Sequence, residues 1–227
     1  MKTIIFVSKR NVYAMAKYTV FKRFVIMSFL SIQIGLHAQS RLSLCYWPSV
    51  IPQVERYDNS LDSILQTRLG DDYLFRFTVV PSFDPEYALQ IELVGEQYYL
   101  KAISFDKNLW YAKDVAIINI DECSVEMETK LAEQVLLLSR QFIENRIDSV
   151  SLGGVIDGNL YQFVIKDKDS IQCGQIQQPD HDYPLDNMCK LCAQLKDWCL
   201  AENKSEILIE EEINRLLIKL NSEGLPK

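Results

Sequence analysis

The sequence predicts an α+β fold with a largely antiparallel sheet and helices packed on one face. Three observations carry this expectation. Strand-like and helix-like segments fall in blocks rather than in strict alternation. Two glycine turns, Gly95-Glu96 and Asp157-Gly158, sit between strand patterns and suit tight hairpins. Several segments alternate apolar and polar residues with period two, while others repeat every three or four residues.

Residues 41–57 read as an irregular or extended stretch with two prolines. Ser60 is placed to cap a short helix running to Leu69, and Gly70 to end it. Tyr73–Val80 is β-branched and aromatic, and reads as a strand. The prolines of PSFDPEY (81–87) mark a turn. Ala88–Val94 puts Leu89, Ile91 and Leu93 on one face, with Gln90 and Glu92 on the other. Gln97–Phe105 follows as its hairpin partner. The apolar run Val115–Ile120 reads as a short buried strand.

A long helix is expected over 124–145, capped by Ser124 with Glu126 and Glu128 in its first turn. Met127, Leu131, Val135, Leu138 and Phe142 form its apolar stripe. Leu160–Lys166 and Ile171–Gln177 read as strands. Pro184 opens a helix with Leu185, Met188, Cys192, Leu195 and Cys199 along one side. A last helix, capped by Ser205, is expected to reach Asn221 with Ile209, Ile213, Leu216 and Leu220 inward.

The N-terminal region reads as a signal peptide over residues 1–38, with Met15 the expected translation start. Lys17, Lys22 and Arg23 precede the apolar run Phe24–Leu36. That run is about a dozen residues long, right for a secretory leader and short of the roughly 20 needed to cross a bilayer. Cleavage is expected between Ala38 and Gln39. An uncleaved anchor fits the short run less well. A lipoprotein signal ending at Cys45 fits poorly too, because Leu44 precedes the cysteine and Arg41 interrupts the approach.

Cleavage would leave residues 39–227 as a single exported domain. Residues 1–38 hold six of the 24 basic residues and none of the 31 acidic ones, so the remainder is acidic, with 18 basic residues and a net charge of −13. Such a surface repels phosphate backbones and anionic lipid, which argues against nucleic acid and a stable membrane association. The expected location is secreted or periplasmic, and the expected partner another protein or an envelope component.

PSFDPEYAL (81–89), NLWY (108–111) and DGNLYQF (157–163), with a proline-initiated helix at 184, together resemble a pattern in uncharacterised secreted bacterial proteins. The resemblance implies export and a shared fold. It carries no functional residue with it and implies no cofactor.

Cys45, Cys123, Cys173, Cys189, Cys192 and Cys199 all lie after the expected cleavage point, an even number that points to disulfides in an oxidising compartment. Cys192 and Cys199 on one helix would be about 10 Å apart, too far for a bridge that needs less than about 7 Å. Cys189 and Cys192 are near enough, but the helix cysteines fit better with Cys45, Cys123 or Cys173 on other elements. CKLC (189–192) resembles a redox pair only in spacing, because Pro184 starts the helix too early to put Cys189 at its N-terminus. Zinc held by Cys189, Cys192, Cys199 and His181 would need two ligand hairpins where the sequence offers one helix.

His181, in QPDHDYP, is the single histidine of the mature chain. It is the catalytic candidate, with Asp180 or Asp182 to orient it and Cys173 or a serine as nucleophile. A polar loop leading into the helix, with Asp182 as cap, explains the same residues. No glycine pattern fits a nucleotide loop. Trp110-Tyr111 and Tyr98-Tyr99 offer an aromatic surface, although aromatics on strands are expected in the core. The balance favours a non-enzymatic exported domain with a binding or envelope role. The alternative is a small secreted hydrolase using His181 or a carboxylate pair.

Overall fold

The fold is described from a computed structural model. It covers residues 45, 52–112, 114–146, 158–168, 170–177, 179, 184–201, 211, 214–216, 218 and 219. The expected signal peptide with Ala38 and Gln39, His181 with Asp180 and Asp182, Trp47, Asp157 and the expected cap Ser205 lie outside the described residues.

Six strands form one antiparallel sheet: β1 (Phe75–Pro81), β2 (Tyr87–Val94), β3 (Gln97–Phe105), β4 (Ile120–Met127), β5 (Asn159–Asp167) and β6 (Ser170–Gln177). Their order is β4-β3-β2-β1-β5-β6, so β4 and β6 are the edges. The α+β class holds. The β2–β3 hairpin turns where the sequence places it, with Val94 opposite Gln97 and Gly95 at φ 66°. That backbone region is free to glycine and strained for other residues.

Alternation along the strands divides the sheet into two faces. One presents Phe75, Phe77, Leu89, Ile91, Leu100 and Phe163, all fully buried. Helices α2 (Thr129–Glu144) and α3 (Pro184–Leu200) pack on it, with Leu131, Val135 and Leu138 from the first and Leu185, Met188 and Leu195 from the second. Phe77 and Phe163 meet edge to face at 4.9 Å between ring centroids. Each such ring removes roughly 150–250 Å² from water, which makes this face the main source of stability. Leu216, in the C-terminal stretch, joins the same core.

Helix α1 (Pro52–Leu69) covers the opposite face, where the sequence places no helix. Tyr57, Leu61, Leu65 and Leu69 pack on Ala88, Ile103 and Phe105, residues that alternate with those of the main core. The helix also starts eight residues before the expected cap. Ser60 lies inside it, its hydroxyl donating to the Arg56 carbonyl at 2.8 Å. Pro52 supplies the start, since proline is pre-set for the first helical position and has no N–H to leave unpaired.

Two further expectations are corrected. Ser124 does not cap a helix, because β4 runs on to Met127 in register with β3, pairing Met127 with Tyr98 and Ser124 with Lys101. The ladder satisfies this backbone, and α2 starts only at Thr129. Val115–Ile120 is not a buried strand. The Asp114 carboxylate accepts from the Ala116 N–H and closes a 3₁₀ turn over Val115–Ile117, leaving Val115 and Ile117 exposed.

Two cysteine pairs stand at bridging distance. Cys123 of β4 joins Cys199 of α3 with Cα atoms 5.9 Å apart, and Cys45 joins Cys173 of β6 at 5.7 Å. The first ties an edge strand to the helix that covers it. No helix among the described residues is long and apolar enough to cross a membrane.

Candidate functional site

The face under α1 contains polar groups that the fold buries and satisfies. Gln90 is fully buried, and its amide donates to the Leu69 carbonyl at 2.6 Å. Arg76 donates to the Gln90 side-chain oxygen at 2.8 Å and to the Gly70 carbonyl, and its guanidinium lies 4.0 Å from the centre of the Tyr73 ring. A cation at the last carbonyls of a helix is favoured by the helix dipole. Lys101 answers buried Glu92 at 2.7 Å. This network seats the C-terminal end of α1.

At the other end of α1 a second network holds a loop. Glu86, just ahead of β2, is fully buried. Its Oε1 accepts from the Tyr57 hydroxyl and its Oε2 from the Leu109 N–H, each at 2.8 Å. Burial raises the Glu86 carboxyl above its usual range, and the hydrogen bonds from Leu109 and Tyr57 oppose that shift. Burial also raises the Tyr57 phenol, with the Glu86 charge adding to it. Both carboxylate oxygens are occupied, so Glu86 serves as a brace for the loop.

Asn108 completes the brace. Its amide donates to the Asp84 carbonyl at 2.7 Å and the Pro81 carbonyl at 3.3 Å, and its oxygen accepts from the Trp110 N–H at 2.9 Å. The Ser82 hydroxyl donates to the Gly158 carbonyl at 2.8 Å. These bonds draw segments 81–89, 108–111 and the start of β5 to one end of the sheet.

The braced loop turns aromatic rings outward. Phe83 is 67% exposed, Tyr111 60% and Trp110 41%. The core expectation for Trp110-Tyr111 is therefore overturned, because the pair sits on a 3₁₀ turn, Leu109–Tyr111, beyond the end of β3. Phe83 and Tyr111 lie nearly parallel, 6.4 Å between centroids, and Trp110 tilts against Tyr57 at 5.5 Å. A cavity of about 430 Å³ opens between them, lined also by Asp58, Ser82 and Gln177. A neighbouring cavity of about 560 Å³ lies between Arg56, Tyr57 and Asp114. The other pair behaves differently: Tyr98 packs partly against the main core, and Tyr99 is half-buried.

Asp58 is the acid of the aromatic cavity. Burial, and then the charge of Asp62 one helical turn on, push its carboxyl up to about 6. Burial raises Asp62 as well, with Arg76 opposing.

The cysteine candidates separate into two kinds. Cys173 is joined to Cys45, so it is not the nucleophile of a His181 triad. Cys199 is joined to Cys123, which removes it from any zinc set with Cys189 and Cys192. Cys189 and Cys192 are free thiols, buried in the α3 contact, and burial raises both pKa values. They behave as small apolar side chains, not as a reactive pair.

Sequence reasoning missed Asp58, Phe83, Glu86 and Asn108 as site residues. Asp58 and Glu86 are acids in an acidic chain, and nothing in their spacing distinguishes them. Asn108 before Leu109 does match the pattern of a capping residue, which is a usable local signal. Comparison of the chain with protein-family models, curated protein sequences and solved structures returned no match.

Proposed function

We propose that this protein is an exported, non-enzymatic binding domain whose contact surface is the ledge formed by Phe83, Trp110 and Tyr111, and that its partner is a component of the cell envelope. One observation carries the reading. Three large apolar rings are exposed together while the backbone beneath them is held by buried Glu86 and Asn108. Exposing such rings on a rigid support is costly in water and favourable in an interface, where aromatic anchors dominate binding energy. Rigidity adds affinity because little loop entropy remains to be lost on binding.

Export is supported by the leader-like segment at 24–36 and by the two cysteine pairs at bridging distance. The expected N-terminus of the secreted form is Gln39, read by N-terminal sequencing. Sedimentation with isolated envelopes of the producing cells tests the ledge. The wild-type protein is expected in the pellet, and Trp110→Ala and Tyr111→Ala in the supernatant with unchanged thermal midpoints. Equal retention of all three proteins would remove the ledge from the interface.

A further inference from the structure

We infer that the cavity between Asp58 and the rings of Tyr57, Phe83, Trp110 and Tyr111 is a binding site for an organic ammonium group. The inference rests on the ledge being a binding surface and names the chemistry that the surface takes.

Four aromatic rings and one carboxylate converge on a single cavity of about 430 Å³. The π-faces of aromatic rings carry negative potential, and they attract a cation held within about 6 Å of a ring centroid. An alkylated ammonium, whose charge is spread over apolar groups, loses less hydration against such rings than a compact cation does. The cavity volume falls in the range of ordinary ligand sites, roughly 300–1,000 Å³, so it holds an ammonium head together with an apolar stem.

Charge points the same way. Among the described residues lining this cavity, none is Lys, Arg or His, and Asp58 is the one acid. Arg56 faces the neighbouring cavity instead. Among the described residues Asp58 has neither a hydrogen-bond donor nor an ion-pair partner, and burial with the Asp62 charge disfavours its ionised form. A carboxylate kept where ionisation is costly is a feature of functional sites, and a bound cation would offset that cost. The first turn of α1 contributes partial positive charge nearby, but its field falls off within that turn and is about half a charge. Asp58 lies beyond the turn and contributes a full one. The acidic balance of the chain after residue 38 favours a cationic ligand at longer range.

Two sources supply this chemistry: a small quaternary ammonium compound, or a lysine side chain of a basic partner. Titration of the full protein, followed by calorimetry, uses three probes: choline, N-acetyl-lysine amide, and 3,3-dimethyl-1-butanol as the neutral carbon isostere of choline. Choline or the lysine amide is expected to bind at least tenfold tighter than the neutral isostere. Asp58→Asn is expected to weaken that binding at least tenfold, and Phe83→Ala, an exposed site that leaves the core intact, to weaken it severalfold. Tighter choline assigns the site to a small ligand; a tighter lysine amide assigns it to a partner's side chain. Equal binding of choline and its isostere, undiminished binding to Asp58→Asn, or no binding of either ammonium probe at millimolar concentration would overturn the inference. If the ammonium probes fail while Trp110→Ala still releases the protein from envelopes, this inference falls and the ledge stands. If envelope retention is indifferent to Trp110, the ledge itself falls.

Discussion

The two faces of the sheet are built from the same strands and do different work. The face under α2 and α3 is dry, dominated by Phe75, Phe77 and Phe163, and fastened by Cys123–Cys199. The face under α1 buries Arg76, Gln90, Glu86 and Glu92 among fewer apolar contacts. Apolar burial is non-directional and supplies stability; hydrogen-bonded polar burial is directional and supplies position. The aromatic ledge lies at the end of the second face, where position is needed. Loss on the first face should therefore unfold the whole molecule, and loss on the second should release one end of it.

The largest effect is expected from Phe163→Ala, which removes a ring with no exposure from the centre of the first face. The expected cost is about 4 kcal/mol, transfer and cavity terms together, seen as a lower midpoint in urea with an unchanged slope. Next is removal of the Cys123–Cys199 bridge by Cys123→Ser with Cys199→Ser. The bridge closes a separation of 76 residues. Its loss is expected to cost about 3 kcal/mol, less if the reduced unfolded chain keeps structure. Thiol titration of the unfolded, unreduced protein should find two free thiols in the wild type, from Cys189 and Cys192.

Glu86→Ala breaks the comparison most directly. It leaves the Tyr57 hydroxyl and the Leu109 N–H without their acceptor. The expected cost is about 2 kcal/mol, the penalty for orphaned buried donors. Hydrogen exchange locates the loss. The amides of Leu109 and Trp110 should exchange at least tenfold faster, while those of β1 and β5 change only as global stability dictates. If β1 and β5 accelerate as much as Leu109, the two faces are one cooperative unit and the division fails.

The first face was largely legible in the sequence. The stripe of Leu131, Val135, Leu138 and Phe142, the alternation of Tyr161, Phe163 and Ile165, and the Gly95-Glu96 turn are local patterns, and local patterns survive folding. The second face was not. Gln90 and Glu92 read as the polar side of a strand, and only the docking of α1 makes that side an interior. Ser124 has the chemistry of a cap and Val115–Ile120 the composition of a strand. Pairing decided the first and a side-chain cap the second: β3 holds Ser124 extended, and the Asp114 carboxylate turns the apolar run outward. Trp110 and Tyr111 were visible as residues, but their exposure depends on the brace from Glu86, 23 residues before Leu109.

The smallest effect expected is a gain. Asp58 is raised from 3.8 to about 6, chiefly by burial, so the native state binds its proton more tightly than the unfolded chain does. Between about pH 4 and pH 6 the native state therefore holds more protons, and stability falls as pH rises through that window. Asp62, raised in the same direction, adds to the fall; Arg76 opposes it, and Tyr57 beside them stays neutral there. Above about pH 6 the cost of the Asp58 charge is complete. Asp58→Asn removes it, and after discounting for solvent screening at a half-buried site the gain is about 1 kcal/mol. For a chain of this size that is a rise in thermal midpoint of about 2–4 °C at pH 7.5. Below about pH 4, where aspartate is protonated in both states, the two proteins should melt together. A midpoint for Asp58→Asn below that of the wild type at pH 7.5 would mean that the Asp58 charge stabilises the fold. The second face would then hold its acids for stability, as the first face holds its rings, and the contrast between them would lose its sharpest instance.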